Sequence, residues 1–153
     1  MPIVEFDSLA QLRLLIGTEV AVGAWVEVSQ QRIDQFAEST GDRQWIHLDE
    51  ARAAAESPYG GTVAHGFLTL SLIPHLMEQA LQVHGARLGV NYGLNRVRFT
   101  APVRAGKRLR ARVTPLKIED IPDGTQVTWK VVLEIEGGDK PACVAELIAR
   151  RYE

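Results

Sequence analysis

The sequence predicts an α+β domain in which a curved antiparallel sheet wraps around one long buried helix. Three observations carry that prediction. The segment FLTLSLIPHLMEQALQV is the most apolar in the chain and too long for an ordinary strand, so it reads as a central helix over Gly66–Val83. Four strand-like runs follow it, separated by turn chemistry at Pro102, Gly106, Pro122–Gly124 and Gly137–Pro141. Those runs alternate: Arg108, Arg110 and Arg112 point one way, and Leu109, Ala111 and Val113 the other, which gives a wet face and a buried one. A helix that is apolar all round needs cover on every side, and a single sheet curled around it supplies that cover.

The elements before the central helix follow in order. Asp7 or Ser8 can cap a short helix whose Leu9, Leu12, Leu15 and Ile16 share one face, with Gly17 as its stop. EVAVGAWVEVS alternates and is rich in valine, which predicts a strand over Glu19–Val28. Ser29 is placed to cap the helix QQRIDQFAES, in which Ile33, Phe36 and Ala37 form the apolar face and Gly41 ends the helix. Asp42–His47 reads as loop. LDEARAAAE then forms a short helix with the Asp49 carboxylate at its positive end. SPYGGTVAHG is a connection dense in glycine, and Pro74 is expected to bend the helix that follows or to mark a join between two pieces.

At 153 residues, 46% hydrophobic and 24% charged, the chain has the size and composition of one globular domain spanning residues 1–153. Its net charge is 17 − 19 = −2, with a pI near 6.1, so there is no general attraction to nucleic acid or an anionic membrane. The start of the chain lacks a basic segment leading into an apolar run, and no stretch of apolar residues is long enough to span a bilayer. Cys143 is the only cysteine, which excludes an intrachain disulfide and suits a core position. A cytoplasmic location is the expectation.

STGDRQWIHLDEA holds the first chemical candidates. Asp42 and His47 can grip one water between them and both accept and deliver a proton. AHGF places Gly66 at the head of the buried helix, where unpaired backbone N–H groups favour developing negative charge. Taken singly, a turn aspartate, a core histidine and a turn glycine are ordinary structural features. Together they have the parts of a site. His75 and His84 lie nine apart with no partner at ligand spacing, so no metal site is expected. No phosphate loop, dinucleotide fingerprint or serine elbow is present.

FAESTGDRQWIHLDEARAAAESPYGGTVAHGFLTLSL, from Phe36 to Leu72, resembles the signature region of the MaoC-like dehydratases, the hydratase 2 or (R)-specific enoyl-CoA hydratase family. Its Gln-Trp between Asp and His is similar to the nodulation protein N branch. The resemblance implies a hotdog fold, with Asp42 and His47 as the catalytic pair, Gly66 as the oxyanion-hole donor and Ser71 as support for Asp42. Gln44-Trp45 replaces the commoner Asn-Pro, and Trp45 is expected to line the substrate channel. His65 is placed to touch substrate or to pack behind the site. Asn95 is expected to face inward near the acyl chain, in phase with Val97 and Phe99. Arg96, with Arg98, Arg104, Lys107 and Arg108, forms a basic cluster that could meet coenzyme A phosphates.

The resemblance implies reversible hydration of a trans-2-enoyl thioester to the (R)-3-hydroxyacyl thioester. His47 is expected to take the water's proton, with Asp42 assisting proton delivery to C2. The substrate is an acyl-CoA or an acyl-carrier-protein thioester. No cofactor is expected beyond the coenzyme A of the substrate, and a homodimer is expected from the exposed sheet edge. The alternatives are a thioesterase on the same fold and a non-catalytic acyl-thioester-binding protein.

Overall fold

The structure is a computed structural model that describes residues 2–153. The chain begins with β1 (Val4–Phe6), helix α1 (Leu9–Arg13) and the short strands β2 (Ala21–Val22) and β3 (Val26–Glu27). Helices α2 (Gln30–Thr40), α3 (Trp45–Leu48), α4 (Glu50–Glu56), α5 (Gly66–Ser71) and α6 (Ile73–Glu78) follow, then β4 (Leu81–Val83). Four long strands complete it: β5 (Leu88–Arg98), β6 (Arg108–Ile121), β7 (Gly124–Ile135) and β8 (Cys143–Tyr152).

The long strands lie where the alternation puts them. The main sheet runs β2-β6-β7-β8-β5, with β3 also paired to β6 and every pairing antiparallel. Leu109, Ala111 and Val113 of β6 are fully buried, as are Val131 and Leu133 of β7. They pack with Leu68 of α5 and Ile73 and Leu76 of α6 in one hydrophobic cluster. The arginines between them face water: Arg110 and Arg112 pair with Glu134, and Arg112 also holds Glu19. Such exposed pairs set charge complementarity across the sheet more than they add stability.

The caps before the site form as expected. Ser29 Oγ accepts the Arg32 N–H at 3.1 Å, and Asp49 Oδ1 accepts the Arg52 N–H at 3.0 Å. Gly41 closes α2 in the left-handed region, at φ 82°, with its N–H on the Ala37 carbonyl.

Three expectations need correction. The Glu19–Val28 strand is two short pieces broken at Gly23, where the chain passes so close to α6 that a side chain would meet the Leu76 carbonyl at 3.1 Å. The helix expected over Leu9–Ile16 closes at Arg13. The central helix is two short pieces joined just before Pro74, one of the two outcomes expected of that proline, but it ends well before Val83. Pro74 sits in the first turn of α6, where the N–H it lacks would have no intrahelical partner. Helical structure stops at Glu78, and Leu81–Val83 pairs in parallel with Val4–Phe6 instead. Apolar periodicity alone does not distinguish a final helical turn from a short buried strand. Among the described residues, no helix is long and apolar enough to cross a membrane.

The hairpin joining β6 to β7 turns on Pro122 and Asp123, the latter at φ 62°. Gly124 follows, and a Cβ there would collide with the Arg151 carbonyl and come within 2.8 Å of the Tyr152 ring. Gly124→Ala is therefore expected to destabilise the fold by about 1–3 kcal/mol. Gly89→Ala, whose Cβ meets nothing within 4 Å, is expected to stay within about 0.5 kcal/mol of the parent. Chemical denaturation of both variants checks the contrast.

Candidate active site

The site is built where the segment after α2 meets the head of α5. Gly41 turns the chain sharply and delivers Asp42 to an exposed position. The expected Asp42–His47 loop is loop only as far as Gln44. Trp45–Leu48 is one helical turn, and it buries His47 to 7% exposure.

His47 Nδ1 lies 2.7 Å from the Val63 carbonyl oxygen. A carbonyl only accepts, so Nδ1 carries the proton and the neutral ring keeps its lone pair on Nε2. Burial pushes the His47 pKa below its ordinary value, and the neighbouring His65 acts in the same direction. The hydrogen bond to Val63 and the charge of Asp42 offset part of that shift.

The Val63 carbonyl is itself held in place. Val63 forms an antiparallel bridge with Arg104, and its N–H donates to the Ile46 carbonyl at 3.1 Å. On either side, the Ala64 N–H reaches the Val103 carbonyl and the Ala105 N–H reaches the Thr62 carbonyl. Gln30 ties the assembly to α2: Nε2 donates to the His47 carbonyl at 2.8 Å, and Oε1 accepts from Thr62 Oγ1 at 2.6 Å.

His65 completes the constellation. Its ring stacks on that of His47, with centroids 3.8 Å apart and planes 21° from parallel. Its Nε2 lies 2.9 Å from the Asp42 backbone carbonyl. One ligand-type atom from each of Asp42, His47 and His65 lies within 4.8 Å of the others. A water hydrogen-bonded to two groups at about 2.8 Å bridges a gap of about 4.5 Å, so groups this close are within reach of one shared water.

Gly66 opens α5, where its N–H has no intrahelical acceptor. Phe99 covers it so closely that a Cβ would stand 3.0 Å from the ring. The glycine is needed for this close approach. Gly66 and His47 share a cleft of about 360 Å³ with Ile46, Tyr59, Thr69 and Phe99.

The other expected site residues lie elsewhere. Trp45 stacks on the Arg52 guanidinium at 4.1 Å, and the cleft is lined by its neighbour Ile46. Ser71 Oγ donates to the Phe67 carbonyl at 2.7 Å and faces a second groove, against β5. Asn95 does not face inward in phase with Val97: a register irregularity between Leu94 and Arg96 breaks the alternation and leaves Asn95 exposed. Arg96 is exposed on the same strand. The basic cluster is not one patch either, because β5 and β6 are separated in the sheet by β7 and β8. Arg108 is paired with Glu136, and Arg104 donates to the Tyr59 carbonyl. Burial pushes the Cys143 thiol up to about 11, in keeping with a core residue.

Gln30, Ile46, Tyr59, Val63 and Phe99 were not legible as site residues. Val63 acts through a backbone carbonyl, which has no side-chain signature, and Phe99 reaches Gly66 only through the fold.

Comparison with known proteins shows the family. The MaoC like domain family matches residues 12–136. The chain is 49% identical over 146 residues to 3-hydroxyacyl-thioester dehydratase Z of Mycobacterium tuberculosis, covering 95% of this chain and 96% of that one. It is 43% identical over 143 residues to nodulation protein N of Rhizobium leguminosarum, covering 92% and 89%. The solved R-hydratase of Pseudomonas aeruginosa, in its unliganded form, superposes with a TM-score of 0.68 at 25% identity, covering 90% of this chain and 82% of that one.

The buried neutral ring of His47 has a titration consequence. A histidine NMR titration is expected to show His47 protonating below about 6.5, the ordinary value. The unfolded chain then binds the proton more readily than the folded one. Stability is thus unaffected above that pH and declines as pH falls from about 6.5 through the folded value. His47→Gln is expected to remove this part of the acid sensitivity in thermal unfolding. With an imidazole and a helix-head amide lining one cleft, a carboxylate oxygen within 4.8 Å of that imidazole, and a family match over most of its length, the chain belongs to the MaoC-like dehydratases, a family of hydro-lyases.

Proposed function

We propose that the protein adds water reversibly to a trans-2-enoyl-CoA, giving the (R)-3-hydroxyacyl-CoA. The observation that carries this reading is an Asp42 carboxylate oxygen within 4.8 Å of a ring nitrogen of His47, whose Nδ1 faces the Val63 carbonyl. The relatives named as a 3-hydroxyacyl-thioester dehydratase and a 3-hydroxybutyryl-CoA dehydratase support the substrate class.

In the hydration direction, His47 Nε2 accepts a proton from the water while Asp42 accepts its other O–H. The hydroxyl oxygen bonds to C3, and the electrons of the C2–C3 double bond move toward the thioester carbonyl. The Gly66 N–H receives the charge that develops on that oxygen. The proton on His47 then passes to C2, so the water is fully accounted for as OH at C3 and H at C2. Asp42 offsets the positive charge on the imidazolium in between. Dehydration runs the same steps backward. The chemistry is redox-neutral, and coenzyme A enters only as part of the substrate.

We also propose that two copies join through β5. This strand is an outer edge of the sheet, with Leu88, Val90, Tyr92 and Leu94 exposed along it. Sedimentation is expected to give a dimer for the parent and a monomer for Leu94→Lys. A monomeric parent would refute the dimer.

Asp42→Asn and His47→Gln are each expected to lower turnover of crotonyl-CoA hydration by about 10²–10⁴-fold with the fold intact. Parental rates in both variants, or release of free thiol in place of enoyl consumption, would overturn the hydratase reading.

A further inference from the structure

We propose that His65 is a positioning residue that clamps the two reacting groups at their working distance; this rests on the hydratase reading of Asp42 and His47. Its side chain touches both members of the pair. Its ring lies face to face with His47 at 3.8 Å, and its Nε2 holds the Asp42 backbone carbonyl at 2.9 Å. At 2% exposure it is buried more deeply than His47, with Phe36 against it at 4.9 Å. Phe36 projects from α2, the helix whose Gly41 cap launches Asp42, so the His65 ring is held between α2 and α3.

The hydrogen bonding assigns the tautomer. Nε2 faces a carbonyl, which only accepts, so Nε2 carries the proton. Nδ1 is buried and, among the described residues, has no hydrogen-bond partner. The ring is placed by its Nε2 hydrogen bond and by its stack on His47. Here that geometry holds Asp42 through its backbone and presents a neutral aromatic face to His47. When His47 takes the water's proton, the ring stacked flat against it holds the imidazole in the same orientation. His65 thus serves the pair twice, once through an N–H and once through its π face, without touching the reacting atoms. Its placement next to Gly66 links the same residue to the head of α5, so one backbone step sets both the clamp and the amide facing the cleft.

Two variants separate the two contributions. His65→Phe keeps a ring against His47 and removes the N–H to Asp42. It is expected to lower kcat by up to about 10²-fold with KM little changed, the scale for a misplaced reacting group. His65→Gln keeps a donor toward the Asp42 carbonyl and removes the ring. It is expected to recover part of kcat while shifting the acid limb of the kcat–pH profile. Nitrogen-15 imidazole spectra of the parent protein, which require no variant to fold, are expected to show His65 with its proton on Nε2. A proton on Nδ1, parental kcat and pH profile in both variants, or a fall in kcat matched by a rise in KM with the profile unmoved would each overturn the proposal. Asp42→Asn and His47→Gln run alongside: full activity there would refute the hydratase reading itself, whereas their loss with His65 variants unaffected would refute only the clamp.

Discussion

The proton on His47 Nδ1 is committed to the Val63 carbonyl across 2.7 Å of buried space, and the chemistry of the site depends on that commitment. A neutral imidazole has one donor and one acceptor, so fixing the donor on one nitrogen fixes the acceptor on the other. Burial then keeps the ring neutral where a solvated histidine would be partly charged. If the Val63 carbonyl swung away, the ring could flip or change tautomer and lose its aim. The structure prevents this by stitching residues 62–64 to residues 103–105 with backbone hydrogen bonds on both sides of Val63.

The rest of the fold serves to bring three separate segments to that point. The end of α2 supplies Asp42, the single turn of α3 supplies His47, and the head of α5 supplies Gly66. None is held by its own local structure alone. Gln30 bridges from α2 to the His47 carbonyl and to Thr62, and His65 bridges from α5 to Asp42. The wrapped sheet provides the rigid wall behind them. Its inward residues pack against α5 and α6 and leave the head of α5 at the cleft. Catalytic geometry held by packed elements loses less to thermal motion than geometry held by loops.

Splitting the central helix at Leu72 has a physical logic. A proline in mid-helix would remove a hydrogen bond and clash with the preceding turn. Restarting the helix at Ile73 moves Pro74 into a first turn, where neither penalty applies. The freed tail of the apolar segment then adds a small parallel pair with β1 and so buries Leu81 under the N-terminal strand.

The sequence by itself determined the fold class, the four long strands and the caps at Ser29, Gly41 and Asp49, and it singled out Asp42, His47 and Gly66 as candidates. Each of these rests on short-range chemistry: alternation, turn propensity, capping and motif spacing all act within a few residues. Only the tertiary structure decided that the carbonyl orienting His47 belongs to Val63, that Phe99 covers Gly66, and that His65 links both members of the pair. It also turned Trp45 onto Arg52, left Asn95 exposed at an irregularity in β5, and set Arg96 and Arg108 on strands with two others between them. Those outcomes depend on sheet order and on backbone groups that every residue shares. Side-chain identity along the chain carries no mark of either.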